Sequence, residues 1–313
     1  MADVSESAVN KFRKLASKKG RINPDFLEEP VDILFDKLHL INNGYLTNAA
    51  MMLFSEDPER WQLGAYVKIG YFESDSDLRY QDEVRGSLIE IVDKITDLVY
   101  LKYMKAQISY EGMQRIERYF VPEAAFREVL LNALCHSQYN YGVPIQISVY
   151  NDRMYIANCG QLPENWTIEN LFRKHASKPY NPNIANVFYL AGFIESWVRG
   201  IEKVCEACKA DGLPNPEYEI NPGDIMVKFS APSERIITVT EKVTENKTDN
   251  LTVTEQKILE LLNEDPGYTY NDLSLRLNIS VKSIAYNIKK LKTSGIIERI
   301  GSDTRGYWKI HLG

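Results

Sequence analysis

Thr252 to Ile310 reads TVTEQKILELLNEDPGYTYNDLSLRLNISVKSIAYNIKKLKTSGIIERIGSDTRGYWKI. Thr252-x-x-Glu255 is a capping box, in which hydroxyl and carboxylate each cover an open backbone N–H, and Ile258, Leu259, Leu261 and Leu262 follow on one face. Asp265-Pro266-Gly267 breaks that helix. Thr269-x-x-Asp272 starts a second, carrying Leu273, Leu275 and Leu277. After the turn Asn278-Ile279-Ser280, a third helix turns Val281, Ile284, Ile288 and Leu291 inward, and Gly295 closes it. Residues 296–300 and 307–310, separated by the polar turn Gly301–Gly306, read as two strands.

The third helix has an apolar back and a basic, polar front, the division a helix needs to stay anchored while it enters a DNA major groove. Lys282, Ser283, Tyr286, Asn287 and Lys290 are candidates for base or phosphate contact, and Lys289, Lys292 and Arg299 for holding the DNA backbone. The hairpin turn offers Ser302, Thr304 and Arg305 to phosphate or minor groove. Charge agrees: residues 280–310 hold seven basic and two acidic side chains, while residues 1–250 carry 28 basic against 36 acidic. A locally basic tail follows an acidic body. The segment resembles the winged helix-turn-helix of bacterial transcription regulators, in its leucine pattern, its Gly295-Ile296-Ile297 and its Gly306-Tyr307-Trp308. That resemblance implies duplex DNA as partner, although the same fold also serves dimerisation or protein contact.

Working outward, residues 232–251 (PSERIITVTEKVTENKTDNL) hold few large apolar side chains and read as a linker, with an extended strand as the other reading. The rest mixes helices and strands. Helices are expected at 8–19, at 31–40 (ended by Asn42-Asn43-Gly44) and at 84–105, with Leu88, Ile91, Ile95, Leu98 and Leu101 on one stripe. Strands are expected at 65–72, 144–150, 153–158 and 224–229, with Asn151-Asp152 as a hairpin turn. Pro122 opens a further helix, 124–137.

In that helix Glu128, Asn132 and His136 stand at i, i+4 and i+8, about 40° apart, so they share one face of an otherwise apolar helix. Such a stripe is costly unless it meets partners or a ligand. It is either a hydrogen-bonded network pinning the helix to the hairpin or a ligand site.

Glu128-x-x-x-Asn132 resembles the first motif of the GHKL ATPases, the gyrase, heat-shock chaperone, histidine kinase and mismatch-repair group. More specifically, residues 11–229 resemble a bacterial family described as RecG-related or Schlafen Alba-like DNA-binding regulators. The matching runs are Leu46-Thr47-Asn48-Ala49-Ala50, Pro122-x-Ala124-x-x-Arg127-Glu128-x-x-x-Asn132-Ala133-Leu134-x-His136, Asn158-x-Gly160-x-Leu162-Pro163, Ser177-x-Pro179-x-Asn181-Pro182-x-Ile184-Ala185 and Gly192-x-Ile194-Glu195-x-Trp197. The resemblance implies a magnesium-nucleotide site, with Asn132 on the metal, Glu128 as the base that activates water, and His136, Asn158, Gly160 and Gly200 around the nucleotide. It also implies an Alba-like domain upstream of residue 11, which makes the sequence read as a fragment or a shortened relative of that family. Three departures count against Mg-ATP: Asn158 stands where an Asp usually reads adenine, Gln161 replaces a glycine, and Val198 replaces a glycine of the phosphate-cradling loop.

Other chemistry is excluded or weak. There is no Walker P-loop, no G-x-S-x-G and no apolar run near 18 residues. Cys205-x-x-Cys208 lacks the second ligand pair of a structural zinc site. Four cysteines without a leader sequence point to a reducing cytoplasm. The expectation is therefore an α/β (α+β) body with a GHKL-ATPase-like two-layer sandwich and a C-terminal winged helix-turn-helix. The parts are 1–120, an N-terminal helical and α/β region; 121–231, the ATPase-like domain; 232–251, a linker; and 252–313, the winged helix. The expected function is a homodimeric, cytoplasmic DNA-binding regulator with a nucleotide or small molecule as effector. A Mg-ATP hydrolase acting on DNA and a winged helix used only for dimerisation are the alternatives.

Overall fold

A computed structural model of the chain describes residues 2–111, 114–173, 175–195, 200–232, 253–277, 279–293, 296–300 and 307–310. It divides into two units, Met1–Ile236 and Ile237–Gly313.

In the first unit Ser5 accepts from the Ala8 N–H and starts α1 (Glu6–Lys19). α2 (Pro24–Glu28) and α3 (Val31–Lys37) follow. α3 stops short of the expected residue 40, because Asn43 and Gly44 do not end a helix. They have φ of +50° and +80° and form the turn between β1 (Ile41–Asn42) and β2 (Tyr45–Leu46). Two successive positive φ angles are what a tight hairpin demands. α4 (Asn48–Phe54) brings the Phe54 ring against Phe12 and Phe35.

β3 (Val67–Ser74) and β4 (Asp77–Val84) come next, so Val84 ends a strand instead of opening the expected helix. α5 (Leu88–Leu98) runs into a π turn at Val99–Tyr103. The wider turn rotates the apolar stripe: Leu101, expected in line with Leu98, is exposed, and Tyr103 is buried. The unit continues with β5 (Gln107–Glu111), β6 (Gln114–Arg118), α6 (Glu123–His136), β7 (Ile145–Val149), β8 (Arg153–Cys159), α7 (Ile168–Leu171), α8 (Pro182–Leu190), α9 (Gly200–Ala210), β9 (Glu217–Asn221) and β10 (Asp224–Ser230).

Six strands form one sheet in the order β4-β3-β7-β8-β10-β9. Its pairs are antiparallel except β3 with β7. Side chains alternate between the faces, and one face buries Val67, Ile69, Ile145, Ile147, Val149, Met154, Ile156, Val227 and Phe229. α6 packs on β8 with α5 and α9 against it. Helices over one face of a mixed sheet make the expected two-layer body. β3 and β4 precede residue 120 and the other strands follow it, so the expected division at 120/121 falls inside one unit.

The second unit contains α10 (Val253–Glu264), α11 (Tyr270–Leu277), α12 (Val281–Thr293), β11 (Ile297–Ile300) and β12 (Tyr307–Ile310). The Thr269–Asp272 capping box is formed: the Thr269 N–H donates to the Asp272 carboxylate at 2.9 Å and the Asp272 N–H to the Thr269 hydroxyl at 3.3 Å. Ile258, Leu262, Leu273, Ile284, Ile288, Leu291, Ile297 and Trp308 fill the core. The Trp308 indole donates to the Tyr268 carbonyl at 3.1 Å and ties the hairpin to the loop before α11. Val281, expected inside, is exposed, and so is Leu275. Leu275 is two residues from both Leu273 and Leu277, hence about 200° away around the helix, and Val281 is the first residue of α12. Thr252, Gly295, Arg305 and the rest of the turn at 301–306, and nearly all of the expected linker, lie outside the described residues.

Candidate functional site

Two groups of side chains carry the functional expectations. On α12, Lys282, Tyr286 and Lys289 recur at i, i+4 and i+7 and are all exposed, so they form one strip along the helix. Ile284, Ile288 and Leu291 hold the opposite face in the core. Lys282 and Lys289 make no ion pair among the described residues. Lys290 is different. Its ammonium lies 2.9 Å from the Glu255 carboxylate on α10, whose side chain is 1% exposed, while the lysine is half exposed. The hydrogen bond to Glu255 raises the Lys290 pKa further above its ordinary value. Asn287 turns back on its own helix, its amide donating to the Ser283 carbonyl at 2.8 Å. Ser283 is half-buried, and Ser280 caps the helix start, accepting from the Ser283 N–H at 3.2 Å. The Arg299 guanidinium lies 4.9 Å over the Trp308 ring. Arg305 is outside the described residues.

On α6, Glu128, Asn132 and His136 are each half-buried on one face, as their spacing predicts. Glu128 and Asn132 stand against the start of α9. A Cβ on Gly200 would collide with the Glu128 carboxylate and stand 3.2 Å from the Asn132 amide nitrogen. A side chain at Gly200 would make the Glu128 carboxylate shift where α9 begins against α6. Burial raises the Glu128 pKa, opposed by Lys203 one turn into α9 and by a hydrogen bond from Asn132.

His136 closes α6, and burial pushes its pKa down, with His175 adding to the effect. Asn158 is buried on β8, its amide donating to the Cys159 carbonyl at 3.2 Å. A Cβ on Gly160 would lie 3.0 Å from that amide and 3.4 Å from the His136 carbonyl, so the bare glycine lets the strand end pass close to the helix end. The structure therefore gathers His136, Asn158 and Gly160 at the end of α6, and Glu128, Asn132 and Gly200 along its middle. Trp197, Val198 and Arg199 are outside the described residues.

Two contributors were not anticipated. The Asn181 amide donates to the Cys135 carbonyl at 3.1 Å and the Ser137 carbonyl at 2.8 Å, covering acceptors that the end of α6 leaves open. Arg21 donates to the carbonyls of Tyr189 and Ile194, each at 2.7 Å, pairs with Glu195, and lies 4.4 Å over the Tyr189 ring. It anchors the loop that leads toward α9. Asn181 was legible only as part of a motif, and Arg21 lies some 170 residues from its partners and left no local signal.

Asn132 interacts with Glu128 through its N–H, and Glu128 is packed against Gly200. That contact leaves the Asn132 carbonyl oxygen, the atom a magnesium ion would take, uncommitted, so the case against a magnesium-nucleotide complex rests on the departures at Asn158, Gln161 and Val198. Among the described residues no group of three His, Cys, Asp or Glu side chains is arranged to hold a metal, and all four cysteines are free thiols. No helix among them is long and apolar enough to cross a membrane.

Residues 142–229 match the sequence family described as "Putative ATP-dependent DNA helicase recG C-terminal". Residues 251–298 match the family described as "Winged helix-turn-helix DNA-binding". The chain thus joins a RecG C-terminal-like, ATPase-like domain to a C-terminal winged helix-turn-helix domain, the architecture the sequence motifs imply. Asn158, Gly160 and Gly200 lie within the first matched span, and the α6 residues precede it. Among solved structures, that of the DIP2311 protein from Corynebacterium diphtheriae is similar, with a TM-score of 0.59 and 20% identity over 99% of this chain. The chain spans 62% of that protein's length. At this identity the likeness is one of fold. No curated protein matches the chain.

Proposed function

We propose that this chain is a cytoplasmic, DNA-binding transcriptional regulator. Its winged helix holds duplex DNA, and its ATPase-like body serves as a sensor for a small-molecule effector or as an assembly part. The strip Lys282–Tyr286–Lys289 carries the reading: two lysines without ion-pair partners among the described residues flank an exposed aromatic, on a helix locked from behind by the core. Lys292 and Arg305 add cations for the DNA backbone. A homodimer follows from the same logic, since a single winged helix contacts few bases and two-fold pairing multiplies contacts. The departures at Asn158, Gln161 and Val198 favour a body that senses or assembles over one that turns ATP over.

The test is fluorescence anisotropy of the full chain on mixed-sequence duplex DNA at low and moderate salt. Salt-sensitive binding is expected, and K282E/K289E should abolish it. Unchanged affinity in the double variant would sink the reading. Light scattering of the same samples reads the dimer.

A further inference from the structure

We propose that the α12 strip tells DNA sequences apart through thymine methyl groups, with Tyr286 as the residue that reads them. The proposal rests on the DNA-binding reading and deepens it.

Base edges in the major groove are distinguished by a short set of side chains. Arg or Lys reads guanine, paired donor and acceptor of Asn or Gln reads adenine, Asp or Glu reads cytosine, and apolar surface reads the thymine methyl. α12 (VKSIAYNIKKLKT) contains no Arg, Gln, Asp or Glu. Its one asparagine, Asn287, is bonded to its own helix, and Lys290 is held by Glu255. Lys282, Lys289 and Lys292 remain, the first two one on each side of Tyr286 along the strip. A lysine is a flexible point charge that serves phosphate as well as guanine and lacks the planar fork with which Arg holds two acceptors at once. Tyr286 is 69% exposed and adds nothing to the core. Two cations that grip phosphate on either side would press the Tyr286 ring onto the base edges between them. The base-edge feature that an apolar ring face recognises is the thymine methyl group.

The experiment selects a preferred site for the full chain from a randomised duplex library, then replaces each thymine of that site by uracil, which removes only the methyl. At one or more positions the wild type should bind the uracil duplex about fourfold more weakly, the value of one buried methyl-sized group. Y286A should lose that difference and Y286F should keep it, with melting temperatures of all three proteins alike. The inference is overturned if no sequence is enriched, if uracil is tolerated at every position, or if Y286A still discriminates. Each of those outcomes leaves salt-sensitive duplex binding in place. Failure to bind any duplex would instead overturn the DNA-binding reading and this inference with it.

Discussion

The ammonium of Lys290 lies 2.9 Å from the carboxylate of Glu255, a side chain with almost no access to water. The pair ties α12 to α10 and takes one lysine of the basic helix out of the set available to DNA. A carboxylate buried without compensation is costly, whereas a lysine at a solvent boundary is not.

Lys290→Met should therefore lower the urea midpoint of the full chain's C-terminal unit, followed by circular dichroism, while Lys289→Met leaves it in place. Equal midpoints for the two variants would show that the pair does not support the fold.

The same division of labour is visible in salt dependence. Removing one lysine from phosphate should flatten the plot of log affinity against log salt by about one. Lys282→Gln and Lys289→Gln should each do so, and Lys290→Gln should not. A Lys290 variant as shallow as the other two would put that lysine on phosphate.

Asn181 holds the last carbonyls of α6 through two side-chain hydrogen bonds. Asn181→Ala should cost about 1–2 kcal/mol, the net value of such bonds with their acceptors left partly open. Asn181→Asp should cost more, because carboxylate oxygens would face carbonyl oxygens. Thermal melting ranks the three proteins, and an aspartate variant as stable as wild type would contradict the geometry.

His136 gives the chain a pH dependence of definite sign. Burial holds its folded pKa below the ordinary 6.5, so as pH falls the unfolded chain takes up the proton first. Its contribution is complete above 6.5 and is lost as pH falls through that value toward the lower folded pKa. Between about pH 7 and about pH 5.5 the stability of His136→Gln should fall less steeply than that of wild type, compared by denaturant midpoint. Parallel curves would mean the imidazole does not titrate differently on folding.

Asn158, Gln161 and Val198 stand where the resemblance expects an aspartate and two glycines around a nucleotide. Calorimetric titration with millimolar Mg-ATP should accordingly give no saturable heat. Saturable heat that disappears in Asn132→Ala would restore a nucleotide site on α6.

Much of this protein was written locally. Leucine and isoleucine spacing marked α10 to α12, Asn151-Asp152 marked the β7–β8 hairpin, and i+4 spacing placed Glu128, Asn132 and His136 on one helical face. Each of these depends on residues within a turn or two of one another, where backbone geometry alone sets which side chains share a face. β9 (EYEIN) shows the limit. It alternates polar and apolar side chains over only five residues, and β10 gives it a full register of partners. The parallel pairing of β3 with β7, the Glu255–Lys290 pair and the reach of Arg21 to Tyr189 and Ile194 likewise join segments far apart in the chain. Composition and spacing determined which helices exist and which residues were chemically suited to DNA. Only the folded chain decided which lysines remain exposed to meet it and that Glu128 and Asn132 stand against the start of α9, because a side chain's partners are set by whichever distant segment chain closure brings beside it.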